Sequence, residues 1–233
     1  MKKADFIEGG IQKIQGIMIS KNAPCWEKFR FISGAKSKDQ TRFFMSGIHI
    51  EREGDKTLLI STDGRRLHIA TLDTLDIEPG EYEVKENTRD FMILYPAELG
   101  QYPNWRQITK KIDSQKHIVL NISSKNKLSF SQTLYDLYKS TNEVFNMEYL
   151  EPLAAVNGSR YDNNWKVYFN INSNKAAVFI NKDLMAVIMP AQHKDVTIED
   201  INYQSEYRDV TPQLVITDKR RSTKTKPQKI KAV

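Results

Sequence analysis

The residue types that carry out metal and covalent chemistry are present but are not spaced for it. The four histidines, His49, His68, His117 and His193, are scattered, and the sequence has no HExxH motif, no CxxC motif and no Asp-rich calcium loop. It also has none of the motifs GxxxxGK[ST], GxGxxG and GxSxG, which bind phosphates or present a nucleophile. We therefore expect no metal site and no cofactor.

Two carboxylates, Glu51 and Asp63, are the remaining candidates for acid or base chemistry. Asp63 precedes Gly64, and a carboxylate in such a pair more often forms a turn than a catalytic site. A carboxylate-based enzyme is the weakest alternative, and we predict that the protein is not an enzyme and has no catalytic residue. The single cysteine, Cys25, excludes a disulfide within the sequence, which argues against redox chemistry and fits a reducing compartment.

The composition favours a folded, soluble, cytoplasmic protein. Hydrophobic residues make up 39% of the 233 residues and aromatic residues 10%, which is enough for a core. The longest apolar run, residues 184–191, is too short to cross a bilayer. The basic start is followed by Asp5 and Glu8 rather than by the apolar stretch of a signal peptide.

The net charge of +6 is concentrated at one end of the sequence. Residues 219–233 contain seven basic side chains and no acidic one, whereas residues 1–218 hold the other 28 basic side chains against 29 acidic ones. This basic tail cannot bury apolar area and is predicted to be disordered. It is either a solubilising terminus or an arm that binds DNA phosphates. Its candidate DNA-binding residues are Lys219, Arg220, Arg221, Lys224, Lys226, Lys229 and Lys231.

The first element that the pattern predicts is a helix at residues 5–18. Its apolar side chains, including Ile7, Ile11 and Ile14, recur at helical spacing and would form one face. Glycines at positions 9, 10 and 16 each lower helix stability by about 1 kcal/mol relative to alanine, so this helix needs close packing. The polar, aperiodic residues 20–40 predict a long loop.

Apolar residues then alternate with period two in two separate stretches, which predict two antiparallel meanders. The first has strands at 43–53, 57–62 and 66–72, and the second has strands at 165–171, 176–180 and 184–189. In the first meander, Asp63-Gly64 suits a type I′ hairpin turn. Further short strands are predicted at 80–84, 91–95, 117–122, 127–131 and 213–217.

The two meanders align without a gap when residues 47–72 are laid over residues 165–190, so that Leu67 falls on Met185. A second helix is predicted at 146–156, with Asn146 as its cap and Pro152 as the site of a kink or of a later start. The chain therefore uses a helix-plus-meander unit twice, and the predicted fold class is α+β. We predict one domain at residues 1–100, a second at 101–192, and a polar extension at 193–233.

Five short stretches carry a family resemblance, and they follow one another in the family's order. LISTDGRRLHIA at 59–70 resembles the signature ATDGHRLA of the bacterial sliding clamp, the beta subunit of DNA polymerase III, with Arg65 in place of the signature's His. QYPNWRQI is similar to the family's FPDYRRV, FNMEYLEPL to FNxxYLLDAL, and AVIMP to VVMPMRL. The fifth stretch is the strand GIHIE at 47–51. QYPNWRQI lies at 101–108, FNMEYLEPL at 145–153 and AVIMP at 186–190.

The resemblance implies a DNA-clamp-like fold with a groove that receives the apolar side chains of short linear peptides. Leu67, Val187, Met189 and Pro190 would form the apolar floor of this groove, and the polar atoms of the turn would form its rim. Carried over residue by residue, the predicted groove residues are Thr62, Gly64, Arg65, Arg66, Leu67, Val187, Ile188, Met189 and Pro190.

The function that the resemblance implies is that of a processivity factor in DNA replication. A ring of such subunits encircles double-stranded DNA without sequence preference and tethers a DNA polymerase, a clamp loader or repair proteins. Two units per chain favour a homo-oligomer, with a trimer closing six-fold pseudo-symmetry. The alternative is a monomeric adaptor or regulator that has the clamp fold and the peptide groove but no ring closure.

Overall fold

Twelve β-strands and four α-helices are present in the residues described by the computed structural model, which are 5–7, 11–13, 16–73, 75–109, 117–123, 127–156, 161–169 and 175–191. The strands are β1 (Asp5–Ile7), β2 (Ile11–Lys13), β3 (Ile17–Ser20), β4 (Ile48–Glu53), β5 (Lys56–Thr62), β6 (Arg66–Asp73), β7 (Gly80–Asn87), β8 (Phe91–Pro96), β9 (His117–Asn121), β10 (Asn164–Tyr168), β11 (Ala177–Asn181) and β12 (Leu184–Ile188). The helices are α1 (Trp26–Ser33), α2 (Arg106–Thr109), α3 (Lys127–Thr141) and α4 (Met147–Ala154), and a 3₁₀ helix spans Gln40–Met45. The α+β class is confirmed.

All twelve strands belong to one antiparallel sheet, in the order β1-β2-β3-β8-β7-β4-β5-β6-β12-β11-β10-β9. The predicted meanders are confirmed as β4-β5-β6 and β10-β11-β12, although the 3₁₀ helix takes the first residues of the strand predicted at 43–53. Strands β7, β8 and β9 confirm three of the other predicted strands. The strand predicted at 127–131 is wrong, because these residues form the first part of α3. Further along the same helix, Thr133 and Leu137 lie one turn apart and are buried, which stabilises the helix by packing. The strand predicted at 213–217 lies outside the described residues.

The two meanders are joined edge to edge by β6 and β12 in a symmetric register. Leu67 pairs with Val187 and Ile69 pairs with Met185, while His68 faces Ala186 at the centre. The gapless alignment makes Leu67 equivalent to Met185 and Ile69 equivalent to Val187, so equivalent residues exchange partners. The repeat of the meander is therefore confirmed, and a local two-fold axis passes between β6 and β12. The helix before the first meander is α1, not the one predicted at 5–18, and the helix before the second is α4.

Side chains alternate between the two faces of the sheet. On one face, residues such as Leu59 and Trp165 pack with α1 and α4 into the larger core. On the other face, Leu67 and Val187 belong to a smaller apolar cluster. Because successive residues of a strand point to opposite faces, Val187 faces this cluster while Ile188 is buried in the larger core.

The N-terminal segment differs from its prediction. The helix predicted at 5–18 is wrong: β1 and β2 pair Ile7 with Ile11, and β3 continues the ribbon onto β8. The helical spacing of the isoleucines did not outweigh the cost of three glycines in a helix. Gly16 allows the close approach of the chain to β8, since a Cβ atom there would lie 2.4 Å from the carbonyl oxygen of Leu94.

The loop predicted at 20–40 contains α1, so that prediction is also wrong. Phe29 and Ile32 lie one turn apart on the helix and are fully buried in the larger core. Pro24 and Gly34, which suggested a loop, flank the helix on its two sides. The helix has only eight residues, too few for a repeated apolar pattern to stand out, and packing stabilises it.

Helix α4 begins where the sequence predicted a helix. The side chain of Asn146 caps it by accepting a hydrogen bond from the backbone N–H of Glu148 at 2.9 Å. Pro152 lies inside the helix, and because proline has no N–H, the carbonyl of Glu148 has no helical donor. The guanidinium of Arg66 donates a hydrogen bond of 3.1 Å to this carbonyl, which joins α4 to the start of β6.

Contacts group residues 1–192 into one compact unit. The division at residue 100 stays a prediction, and the sheet continues across it through β6 and β12. No helix among the described residues is both long enough and apolar enough to span a membrane.

Candidate functional site

A groove of about 280 Å³ opens at the start of β6, beside the end of β12. It contains seven of the nine predicted groove residues, and five further residues line it. The predicted residues are Thr62, Gly64, Arg65, Arg66, Leu67, Val187 and Met189, and the others are Met45, Pro103, Trp105, Ile108 and Ala176. Leu67 and Val187 are only 2% and 3% exposed and form its floor.

The remaining two predicted residues do not line the groove. Ile188 is fully buried on the opposite face of the sheet, as the alternation of side chains along β12 requires. Pro190 is half-buried just beyond the strand. Between them, the backbone N–H of Met189 donates a hydrogen bond of 2.9 Å to the carbonyl of Arg65, which holds the end of β12 against the β5–β6 turn.

The β5–β6 turn forms the polar rim of the groove. The carboxylate of Asp63 accepts hydrogen bonds from the backbone N–H groups of Arg65 and Arg66 and from the Arg66 guanidinium. Of residues 63–66, all of which are described, Gly64 alone has a positive φ, at 86°. The predicted type I′ turn is therefore wrong, since that turn needs two such residues. A positive φ at the first central residue is typical of type II′.

Arg66 is a structural residue of the rim as well as a wall of the groove. Its side chain is 8% exposed, pairs with Asp63 at 3.0 Å and lies 4.6 Å from the ring centroid of Tyr149. Arg66 is therefore buried, whereas Arg65 is exposed. Arg66 fixes the turn, whereas Arg65 presents a positive charge at its surface.

A segment between β8 and β9 forms the outer wall of the groove, through Pro103, Trp105 and Ile108. These three residues were not among the predicted groove residues, although they lie in the stretch QYPNWRQI, which resembles a family motif. Trp105 is 8% exposed and packs in the smaller apolar cluster. The matched motif was the only signal for this wall, because the segment has no periodic pattern.

Glu51 of β4 holds this wall in place. Its carboxylate accepts a hydrogen bond of 3.0 Å from the indole N–H of Trp105 and pairs with Arg106, whose guanidinium lies 4.4 Å from the Trp105 ring centroid. Burial acts to raise the pKa of Glu51, but hydrogen bonds from Arg106, Trp105 and His49 outweigh it and lower the pKa. The carboxylate therefore stays ionised and acts as a fixed acceptor.

His49 and Tyr102 pack next to Glu51 and support the same wall. The two rings stack with centroids 4.5 Å apart, and His49 Nε2 lies 3.0 Å from the Glu51 carboxylate. Burial, with the nearby charge of Glu81, raises the pKa of Tyr102, and burial likewise raises the pKa of Glu81. These groups form a structural network behind the wall rather than a site open to a substrate.

The histidines do not form a site together. His68 is buried between the sheet and α1, His117 lies on the separate strand β9, and His193 is outside the described residues. No group of three or more potential metal ligands occurs in the part of the chain that the structure describes. All seven basic tail residues, Lys219 to Lys231, also lie outside it.

No protein-family model and no curated protein matches the sequence. Solved structures do match. The DNA polymerase III beta subunit of Thermotoga maritima is 12% identical with a TM-score of 0.50, over 83% of this chain and 68% of that one. A putative DNA polymerase III beta subunit from Eubacterium rectale is 11% identical with a TM-score of 0.52, over 83% and 68%. The DNA polymerase sliding clamp of Pseudomonas aeruginosa, solved with a ligand, is 16% identical with a TM-score of 0.50, over 83% and 69%.

At these identities the similarity concerns the fold. The chain has the fold of the DNA sliding clamps, and the resemblance found in the sequence is confirmed at that level.

Proposed function

We propose that the groove binds short linear peptides of replication and repair proteins, and that the chain acts as a sliding-clamp-like processivity factor. The observation that carries this proposal is the groove itself. Residues distant in sequence, from the β5–β6 turn, from β12 and from segment 103–108, converge there on one apolar concavity. The clamp fold of the chain agrees with this role.

The size and lining of the groove suit a peptide better than a metabolite or a folded domain. The groove, at about 280 Å³, lies at the lower end of the range of small-molecule pockets, which is about 300–1000 Å³. Its described lining residues include no group of catalytic or metal-binding side chains. Leu67 and Val187 in the floor and Trp105 in the outer wall offer an apolar surface for one or two apolar side chains. Such anchors contribute most of the affinity in peptide recognition.

The first prediction is that Leu67→Lys abolishes binding of a fluorescein-labelled peptide of the Gln-x-Leu-x-Phe type. A lysine there would bury a charge without a partner or fill the floor. Fluorescence anisotropy measures the affinity, and circular dichroism checks the fold. Because Leu67 is buried, the partly exposed groove residue Ile108 provides a second variant, Ile108→Asp, which should weaken binding at least about tenfold.

Val119→Lys is the matched control, since Val119 is 60% exposed on β9 and does not line the groove. It should bind the peptide as the parent does. Peptide binding that survives both groove substitutions, or that the parent never shows, contradicts the assignment of the groove.

The proposed clients are a DNA polymerase, a clamp loader or repair proteins. The proposed nucleic-acid partner is double-stranded DNA, which the ring encircles without sequence preference. A ring tethers its client by topology, so the contacts with DNA need only be weak and directed to phosphates. Catalysis has no part in this mechanism. The ring requires a homo-oligomer, and a trimer is the form that two units per chain favour.

One observation favours the alternative of a monomeric adaptor. Among the described side chains of α1, α3 and α4, the charged residues that are not buried are Glu27, Arg30, Asp136, Lys139, Glu148 and Glu151. In the ring that the resemblance implies, helices line the hole around DNA. Four acids against two bases among the described side chains give no positive surface there.

Light scattering separates the two forms, and this is the second prediction. A ring at micromolar concentration gives a multiple of 27.0 kDa, with three copies expected. A strictly monomeric mass would leave the adaptor as the function and remove the ring.

A further inference from the structure

A second, polar pocket of about 240 Å³ lies beside the apolar groove. Arg65 and Arg66 line both cavities, so the two share one wall. The polar pocket adds Lys36, Lys38 and Arg42 from the segment between α1 and β4. A ligand that leaves the groove across the β5–β6 turn therefore meets basic side chains next.

The charges of this basic pocket do not cancel. Five basic residues line it against three acidic ones, Asp39, Asp63 and Glu148. Asp63 already accepts three hydrogen bonds from the turn and from Arg66, and Asp39 accepts two from Thr41. Asp63 thus pairs with Arg66, and Asp39 lies 3.8 Å from the Arg42 guanidinium, so these two carboxylates offset two of the five basic residues. The remaining charges, Lys36, Lys38 and Arg65 against Glu148, leave a positive excess at the pocket.

Lys36 is a basic residue of this pocket whose positive charge is disfavoured by burial. It is half-buried, and burial lowers the pKa of its ammonium group; Lys38 acts in the same direction, while Glu83 opposes both. A bound anion would compensate the charge that burial disfavours. Arg65 adds a further positive charge at the place where the sliding-clamp signature has His.

We propose that the basic pocket binds an acidic side chain of the same peptide whose apolar residues occupy the groove. This inference rests on the proposed function of the groove. The shared wall favours a single peptide over a DNA phosphate, because only a ligand with apolar and acidic groups a few residues apart satisfies both cavities. The chain therefore selects clients whose apolar motif has Asp or Glu beside it.

Peptides that differ only beside the motif provide the test. All peptides share the core Gln-Ala-Leu-Ala-Phe and carry one flanking pair, which is Asp-Asp, Ser-Ser or Lys-Lys. In the first series the pair precedes the core, and in the second series it follows the core. In one of the two series we expect Asp-Asp to bind about three- to tenfold tighter than Ser-Ser, and Lys-Lys to bind more weakly than Ser-Ser. The difference should shrink in about 0.5 M salt, which screens charges at the pocket mouth.

Two variants of the full chain, Lys38→Glu and Lys36→Gln, should reduce the preference for Asp-Asp while leaving the affinity for Ser-Ser unchanged. Lys56→Glu is the matched control, since Lys56 is an exposed lysine at the far end of β5. It makes the same charge change as Lys38→Glu and should leave the preference intact.

The outcomes distinguish this inference from the function on which it rests. If the Ser-Ser peptide binds and Leu67→Lys abolishes its binding, but Asp-Asp gains nothing in either series, the groove stands and the acidic preference is overturned. A preference that survives Lys38→Glu and Lys36→Gln, or competition by a short DNA duplex for the Asp-Asp peptide, also overturns it. If none of the peptides binds, the groove assignment fails and the acidic preference fails with it.

Discussion

His68 is a fully buried imidazole at the centre of the β6–β12 junction. Its Nδ1–H donates a hydrogen bond of 2.8 Å to the carbonyl of Phe31, and the two rings stack with centroids 4.3 Å apart. Nε2 therefore carries no proton, and it has no hydrogen-bond partner among the described residues. Burial lowers the pKa of His68 to about 3, and the nearby Arg66 charge acts in the same direction.

This neutral histidine predicts a specific acid sensitivity. Its pKa is lower in the folded chain than the ordinary value of about 6.5, so the unfolded chain binds the proton more readily. The stabilising effect is complete above about pH 6.5 and is lost as the pH falls towards 3. His68→Phe keeps the stacked ring and should cost about 1 kcal/mol at pH 7 through the lost hydrogen bond.

Denaturant unfolding at pH 7, 6 and 5 measures the effect. The advantage of the parent over His68→Phe should shrink at each step, by at most about 1.4 kcal/mol per pH unit, and then reverse. His117→Phe is the matched control, because it makes the same exchange at an exposed histidine on β9. A difference that is constant with pH would contradict the assignment of a neutral buried His68.

At the scale of elements, helix α4 and the β5–β6 turn are joined by Arg66. Its hydrogen bond to the Glu148 carbonyl replaces the helical bond that Pro152 cannot make. The two residues should therefore be energetically coupled. Arg66→Met should cost about 2–3 kcal/mol of unfolding free energy in the parent, because it removes charge-assisted hydrogen bonds.

The same substitution should cost about 1 kcal/mol less in a Pro152→Ala background, where the backbone at position 152 gains an N–H that can donate to the Glu148 carbonyl. A double-mutant cycle in urea measures this coupling. Strict additivity of the two substitutions would show that the Glu148 carbonyl does not link them.

Helices and strands whose own sequence has a clear pattern of apolar and turn residues were predictable. Those whose structure depends on contacts with distant parts of the chain were not. The apolar, strand-like stretches of β4 to β6 and of β10 to β12, separated by short turn sequences, predicted both meanders. Four of these strands, β5, β6, β11 and β12, bury residues on both faces of the sheet. The spacing of Ile7 and Ile11 fitted a helix as well as a hairpin, and the pairing of β3 with β8 decided for strands. Helix α1 is too short for its period to be visible.

The candidate groove was predictable to the extent that it lies in contiguous motifs. The turn residues 62–67 share one short signature, so a match to that signature located them together. Ile188 was included only because it adjoins Val187, and strand alternation separates the two. Trp105 reaches the groove through its hydrogen bond to Glu51, a contact across 54 positions that no local pattern encodes.

For the molecule as a whole, charge is the property that bears on DNA. The described side chains of α1, α3 and α4 give no positive surface, and residues 1–218 together are close to neutral. The seven basic residues of 219–233 are therefore the expected source of non-specific affinity. Each phosphate that they neutralise contributes about −0.9 to the slope of log affinity against log salt concentration.

Replacing the seven basic residues with glutamine in the full chain should flatten this slope by several units and remove most binding to a linear duplex. A second variant with the same fifteen residues in shuffled order is the control, because the effect depends on charge and not on sequence. Binding that keeps its salt slope after neutralisation would place the DNA contact outside this segment.

The two-fold register of β6 and β12 has a consequence for stoichiometry. The hydrogen bond from Met189 N–H to the Arg65 carbonyl has a counterpart of equal length, 2.9 Å, from Thr71 N–H to the Asp183 carbonyl. At that related position, however, the Asp183 carboxylate pairs with Lys28 and accepts a hydrogen bond from the Tyr161 hydroxyl.

The wall formed by Pro103, Trp105 and Ile108 comes from a segment that occurs once in the sequence, so the second edge has no copy of it. The duplicated framework has thus diverged, because one edge carries the groove and the other carries the ion pair of Asp183 with Lys28. A titration with peptide should saturate at one equivalent per chain, and a ring of such chains would carry as many client sites as it has subunits.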